Sequence, residues 1–352
     1  MDTQKLLYSI LCYFLLSLLS GQQVVQGHLA HHHHHSFHRQ VSNTSKLFVF
    51  GDSYADTGNT AKSDSPSWKD PYGITFPGKP TGRFSNGRVL TDYFAKSMGI
   101  GSPIPYRRWK FEIPLLKYGM NFALGGTGVY ETSTQGPTMT TQIDSFQNVI
   151  TDNVFNISDI QSSVTLVTLS GNDYLAYIRN HGTEGIQSFI PKVVKQLSVN
   201  LKRIHGLGVK KVAVAGLPPV GCLPAFTATS SFRQCNATMN LLVISHNHLL
   251  KQAVAQLNNE TKDSTFIILD LYASFTSVID NNGSRKFENP LKPCCFGVSS
   301  KYSCGSVDES GAKKYTLCED PESAFFWDIL HPTQAGWSAV YPALQATLQQ
   351  LF

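Results

Sequence analysis

Residues suited to attack on a carbonyl stand in separate stretches of this chain. The first stretch is Phe48 to Thr60, read Phe-Val-Phe-Gly-Asp-Ser-Tyr-Ala-Asp-Thr-Gly-Asn-Thr. An apolar run from Leu47 to Phe50, long enough for one buried strand, stops at Gly51 and Asp52, so Ser53 falls where strand gives way to turn. A hydroxyl lifted off a strand end by a tight turn is open to a base on one side and to a carbonyl on the other, as nucleophilic catalysis needs. Alone, a Gly-Asp-Ser tripeptide equally starts a plain turn.

A base and its partner are offered near the C-terminus by Phe325-Phe-Trp-Asp-Ile-Leu-His-Pro-Thr333. Asp328 precedes His331 by three positions, and a turn of that length lays a carboxylate against an imidazole, orienting the ring and stabilising its protonated form. Pro332 disfavours the helical region for His331, which puts the imidazole on extended or turn backbone just before the final helix. An isolated Asp-x-x-His also describes a surface turn. The other histidines have structural explanations: His205 precedes Gly206 at a helix end, His246 and His248 sit in an amphipathic helix, and His181 lies in a polar loop.

Acyl transfer also needs donors for a developing oxyanion. Asn121-Phe-Ala-Leu-Gly-Gly-Thr-Gly128 sets glycines after a strand, where a backbone N–H approaches a ligand with no Cβ in the way. Leu169-Ser-Gly-Asn-Asp-Tyr174 ends another strand and offers the Asn172 side-chain amide. Each also reads as an ordinary turn. Neither glycine region has a G-x-x-x-x-G-K-[ST] or full G-x-G-x-x-G pattern, which argues against a nucleotide, and no cofactor is expected. No G-x-S-x-G elbow occurs, and the serine lies on the first strand.

The elements that must carry these groups alternate. Strands are expected at Leu47 to Phe50, Gly119 to Ala123, Val164 to Leu169, Lys211 to Ala215 and Phe266 to Leu269. Helices are expected at Val89 to Met98, Ile186 to His205, Met239 to Leu257 and Gln334 to Leu348. This rhythm predicts an α/β fold with a parallel sheet covered on both faces. The breaker-rich stretch Trp68 to Arg88 predicts loops at the strand ends, where ligand sites form. One domain spanning 46–352 is expected, because the candidate chemical groups lie near both ends and no Pro/Ser-rich linker divides them.

Upstream, Lys5, an apolar run from Leu6 to Leu19 and the small-residue region Val25-Gln-Gly27 have the layout of a cleaved secretory signal over 1–27, too short for a comfortable span. Residues 28–45, with the run His31 to His35, lack the apolar content to fold and read as a flexible leader. A soluble, secreted, extracellular protein follows. Cys12 leaves with the signal, and the remaining Cys222, Cys235, Cys294, Cys295, Cys304 and Cys318 suit an oxidising compartment. Cys222 with Cys235 closes a short loop, leaving the other four to bond among themselves. The adjacent Cys294 and Cys295 fit poorly into zinc-ligand spacing, and no metal is assigned. Sequons at Asn43, Asn156, Asn236, Asn259 and Asn282 mark surface positions for N-linked glycans. The net charge of +5 has no dense Lys/Arg block, which argues against nucleic acid and leaves weak adhesion to acidic polysaccharide or membrane surfaces open.

Taken together, the Gly-Asp-Ser stretch, Gly after Asn-Phe-Ala, Gly-Asn-Asp and Asp-x-x-His, in that order, resemble the SGNH hydrolase superfamily, specifically the plant GDSL esterase/lipase family. The resemblance covers 46–352 and extends to Pro80-Thr-Gly-Arg-Phe-Ser-Asn-Gly-Arg88 and Gly216-Leu-Pro-Pro-Val-Gly-Cys-Leu-Pro224. It implies a flavodoxin-like three-layer α/β/α sandwich, Ser53 as nucleophile with Asp328 and His331 completing a triad, and Gly126, Asn172 and the Ser53 amide as oxyanion donors. The implied activity is hydrolysis of a small-molecule, lipid or acylated-carbohydrate ester through an acyl-enzyme. Two alternatives are an acyltransferase using the same intermediate and a non-catalytic glycoprotein of the same fold with a binding or defence role. Tyr54 departs from the family pattern, which has Leu there, and is expected to alter packing or substrate shape more than chemistry.

Overall fold

The computed structural model describes residues 45–352 except 133–135, 263–264 and 283–284. The signal and leader expected at 1–45, including the His31 to His35 run and Asn43, lie outside the described residues, Ser45 excepted. The central sheet has strands β1 (Leu47–Gly51), β2 (Ile104–Pro105), β3 (Gly119–Asn121), β4 (Val164–Thr168), β5 (Lys211–Ala215) and β6 (Thr265–Leu269). They lie in the order β2-β3-β1-β4-β5-β6 with every pairing parallel. Without the two-residue edge strand β2, this is the doubly wound 2-1-3-4-5 order, which reverses direction between β1 and β4. Ligands of open parallel sheets collect outside the carboxyl ends of the strands at that reversal, just where Ser53 and Asn172 follow β1 and β4.

Every residue of β1 and β4 is buried, so both faces of the sheet are covered. That is why these strands read as unbroken apolar runs with no alternation. Helices α1 (Leu90–Ser97), α2 (Met139–Thr151), α3 (Ile157–Gln161), α4 (Asn172–His181), α5 (Ile186–Gly206), α6 (Ala237–Glu260), α7 (Leu271–Ile279) and α8 (Gln334–Leu348) supply the cover. Seven of them fall into two packed groups: α5 contacts α2, α4 and α6, while α8 contacts α1 and α7. Phe48 and Phe50 of β1 meet Phe146 of α2 at 4.8 and 5.4 Å between ring centroids. Around α8, Trp337 meets Phe275 of α7 at 5.7 Å and Tyr54 at 5.1 Å. The architecture is the expected three-layer α/β/α sandwich. The sequence reading missed β2, α2, α3, α4 and α7.

A two-stranded antiparallel ribbon, β7 (Cys295–Gly297) with β8 (Tyr315–Leu317), lies outside the main sheet. The disulfides are Cys222–Cys235, as expected, and Cys294–Cys318 and Cys295–Cys304, which divide the other four cysteines. The cystine-bound ribbon has a positional effect. The amides of Cys294 and Cys295 donate to the carbonyls of Phe326 and Trp327, so the ribbon holds the chain just before Asp328.

Candidate active site

The turn after β1 is made by Gly51 and two aspartates. Gly51 has φ of 135°, and a Cβ there would stand 1.9 Å from the Thr168 carbonyl oxygen, so no other residue fits between β1 and β4. The Asp52 carbonyl accepts the amides of Ala55 and Asp56, winding the chain into a helical turn with Ser53 at its start. Asp56 is fully buried and its carboxylate accepts the amides of Gly58, Asn59, Thr60 and Gly125 and the Thr60 hydroxyl. One buried carboxylate thus ties the serine turn to the glycine-rich loop after β3. Burial still pushes its pKa up, because the bonds only partly offset desolvation.

Ser53, from the start of the fold, meets His331, from its end. Ser53 Oγ lies 2.7 Å from His331 Nε2, and His331 Nδ1 lies 2.8 and 2.9 Å from the two oxygens of Asp328. All three residues are buried, with Ser53 only 6 % exposed. Asp328 Oδ1 also accepts the amides of Leu330 and His331, which closes the turn between acid and base. The Tyr72 hydroxyl donates to Asp328 Oδ2 at 2.7 Å. Burial works to raise the Asp328 carboxyl, but the His331 ring and these hydrogen bonds outweigh it and hold the group below the usual carboxylate range.

The Trp68 to Arg88 loop clasps this turn. Ser85 Oγ donates to the Pro332 carbonyl at 3.1 Å, Asn86 Oδ1 accepts the Gln334 amide at 2.7 Å, and the Phe84 ring lies 5.0 Å from the His331 ring. Tyr54, the departure from the family pattern, is buried and donates its hydroxyl to the Leu330 carbonyl at 3.0 Å. Its effect is to brace the acid–base turn.

Gly126 and Asn172 line the same cleft as Ser53 and His331. The Ser53 amide makes no hydrogen bond to a described residue. Asn172 Nδ2 donates to the Thr127 carbonyl at 3.0 Å and to Asp52 Oδ2 at 3.2 Å. Asp52 Oδ2 also accepts the amide and hydroxyl of Ser170, and burial raises the Asp52 pKa in spite of these bonds. Next in sequence, Asp173 accepts the amides of Val129 and Tyr130 at 3.1 and 3.0 Å.

The cleft has a volume of about 1000 Å³, and its apolar lining includes Phe84, Tyr106, Phe122 and Leu175. Phe84 and Tyr106 line the cleft, whereas the nearby Trp109 packs on the core and Phe76 lies under the Arg88 guanidinium. Among the other histidines, His246 is buried against the Tyr174 hydroxyl at 2.7 Å and pushed down to about 4 by that burial. Sequence reasoning missed Tyr72 and Gln142. Gln142 grips the Gly51 peptide from both sides, accepting its N–H and donating to its carbonyl, each at 2.8 Å.

This arrangement joins a hydroxyl, an imidazole and a carboxylate, with the hydroxyl and imidazole lining a largely apolar cleft together with Gly126 and Asn172. The family model for GDSL-like lipase/acylhydrolase matches residues 47–344. The GDSL esterase/lipase At5g03610 of Arabidopsis thaliana is 56 % identical, covering 98 % of this chain and 97 % of that protein. A second Arabidopsis thaliana GDSL esterase/lipase, At3g09930, is 49 % identical over the full length of both. Acetylajmalan esterase 2 of Rauvolfia serpentina is 29 % identical, covering 82 % of this chain and 86 % of that one. With such relatives along almost its whole length, the chain belongs to the GDSL lipase/acylhydrolase family and is a carboxylic ester hydrolase.

Proposed function

We propose that the hydrolase works through an acyl-enzyme on Ser53, with His331 as general base and acid and Asp328 as its partner. The observation that carries this reading is the unbroken hydrogen-bonded line from Ser53 Oγ through the His331 ring to Asp328. Ser53 Oγ attacks the ester carbonyl carbon while its proton passes to Nε2, and Asp328 steadies the resulting imidazolium. The negative carbonyl oxygen is received by the amides of Ser53 and Gly126 and by Asn172 Nδ2, which exchanges its longer bond to Asp52 for this one. The intermediate collapses, the bond to the alcohol oxygen breaks, and His331 returns the proton to the departing alcohol. Water then gives a proton to His331 and attacks the acyl carbon, releasing the carboxylic acid as Ser53 recovers its proton.

Ser53→Ala is expected to abolish ester turnover with an unchanged melting temperature, leaving only the residual rate from binding and the oxyanion donors. A fluorophosphonate should label the wild type on Ser53 and leave the variant unlabelled. Near wild-type turnover by folded Ser53→Ala would overturn the assignment. Because one relative is named for an acetylated substrate, p-nitrophenyl esters from acetate upward and acetylated polysaccharide form the first substrate screen.

The proposal includes export, with a signal over 1–27 and a leader over 28–45 ahead of a hydrolase domain at 46–352. Support comes from the three disulfides, which persist in oxidising compartments. No described helix is long and apolar enough to cross a membrane. N-linked glycans are part of the same reading: Asn156, Asn236, Asn259 and Asn282 are all exposed. Asn156 and Asn236 cap helices through Oδ1, which leaves Nδ2, the atom a glycan joins, without a described partner.

A further inference from the structure

The segment from Tyr106 to Tyr118 forms two 3-10 turns beside the cleft, at Tyr106–Arg108 and Ile113–Tyr118. Phe111 is 87 % exposed, Ile113 60 % and Leu115 36 %, and Phe111 is the most exposed large hydrophobic residue described. Single exposed hydrophobics are ordinary on a protein surface, but three within five residues are not. No other described segment shows this density.

Cations are interleaved with them. The segment holds Arg107, Arg108, Lys110 and Lys117 against one acid, Glu112, a balance of +3 in a chain whose total is +5. Arg108 pairs with Glu112, while Lys110 and Lys117 lie 5.6 and 4.9 Å from the ring centres of Trp109 and Tyr118 and meet no acid among the described residues. The base of the segment is fixed. The Arg107 amide donates to Asn59 Oδ1 at 3.0 Å, the Tyr106 ring lies 5.3 Å from Phe122, and Trp109 and Leu116 pack on the core. Tyr106 and Arg107 also line the cleft that holds Ser53 and His331.

We infer that this segment docks the protein on an anionic lipid surface. Phe111, Ile113 and Leu115 enter the boundary between headgroups and acyl chains, Lys110 and Lys117 face the anionic headgroups, and the cleft opens beside the interface. Charge complementarity decides the occupant: apolar tips alone suit any greasy partner, whereas apolar tips ringed by cations suit a surface that is both apolar and negative. The inference goes beyond the catalytic reading and does not require it.

Co-sedimentation of the full chain with vesicles tests it, comparing phosphatidylcholine alone with phosphatidylcholine containing about 30 % phosphatidylserine. At low salt the anionic vesicles should bind at least about tenfold better. Lys110→Gln with Lys117→Gln should weaken that binding by roughly twenty-fivefold, about fivefold per cation, and Phe111→Ser with Ile113→Ser by about tenfold or more. All variants should hydrolyse soluble p-nitrophenyl acetate at the wild-type rate and melt at its temperature, since the changed side chains are exposed and outside the catalytic line. No binding by the wild type, equal binding to both vesicle types, or equal binding by wild type and variants would each overturn the proposal.

Discussion

Asp328 and Asp173 stand at the same end of the sheet, 7 % and 5 % exposed, and their carboxyls are driven in opposite directions. At Asp328 the upward push of burial is overcome by the His331 ring, two backbone amides and the Tyr72 hydroxyl. At Asp173 burial prevails over the amides of Tyr130 and Val129, and the pKa is pushed up to about 6. Asp52, beside Asn172, is raised for the same reason. A partner able to carry charge outweighs desolvation where neutral amides do not. The difference suits the proposed chemistry. The acid–base side must steady an imidazolium and keeps a full carboxylate, while the side receiving a negative oxygen has carboxyls whose charge is disfavoured, which lessens repulsion.

The largest test of this contrast is Asp328→Asn. The amide keeps an oxygen for the Leu330 and His331 amides but loses the charge, so kcat should fall by about ten-thousandfold with the fold retained. A fall below about tenfold would mean that the charge at Asp328 has no such role, and the contrast between the two sides would lose its meaning. On the opposite side, Asn172→Ala should lower kcat about a hundredfold or more with KM little changed, and Asn172→Asp should do worse by placing charge where the oxyanion forms. A lowered melting temperature with normal kcat would show instead that Asn172 only ties Asp52 to Thr127.

Tyr72→Phe is expected to act more mildly, with kcat down about tenfold and KM unchanged. Because the Tyr72 hydrogen bond helps hold Asp328 low, its loss should raise the Asp328 pKa, and activity should then fail at a higher pH as the solution is acidified. A drop in kcat with an unmoved low-pH limb would reduce Tyr72 to a packing residue against Trp327.

The parts of this site that were legible in the sequence have local causes. Ser53 stood out because an apolar strand ends at a glycine that alone fits against Thr168, and the acid and base because Asp328 closes its own turn onto His331. Tyr72 and Gln142 were not legible, since their partners are 256 and 91 residues away. Gln142 follows Thr140 and Thr141, so its neighbourhood reads as a solvent face although its side chain is buried. The same polar run hid α2, and β2 is too short to leave a periodic signal. The pairing of adjacent Cys294 and Cys295 with different partners is set by the ribbon of β7 and β8, which spacing alone does not specify.

The last effect is read in stability. With a folded pKa of about 6 against an ordinary value of 3.8, Asp173 keeps its proton in the folded chain after the unfolded chain has lost it. Between those two values the folded state binds more protons, so the stability contributed by this group is present at low pH and is lost as pH rises. Its full loss at neutral pH is about 3 kcal/mol, from roughly two units at 1.36 each. Asp173→Asn cannot ionise and retains one oxygen for Val129 or Tyr130, so its cost should not vary with pH. Urea unfolding of both proteins between about pH 3 and pH 7 should therefore show the wild type losing about 3 kcal/mol relative to the variant, with most of the change complete shortly above pH 6. A difference that stays flat across this range would mean that Asp173 titrates as an ordinary carboxylate. Its two amide partners would then suffice to hold the charge, and the distinction drawn between the two sides of the cleft would have to rest on geometry alone.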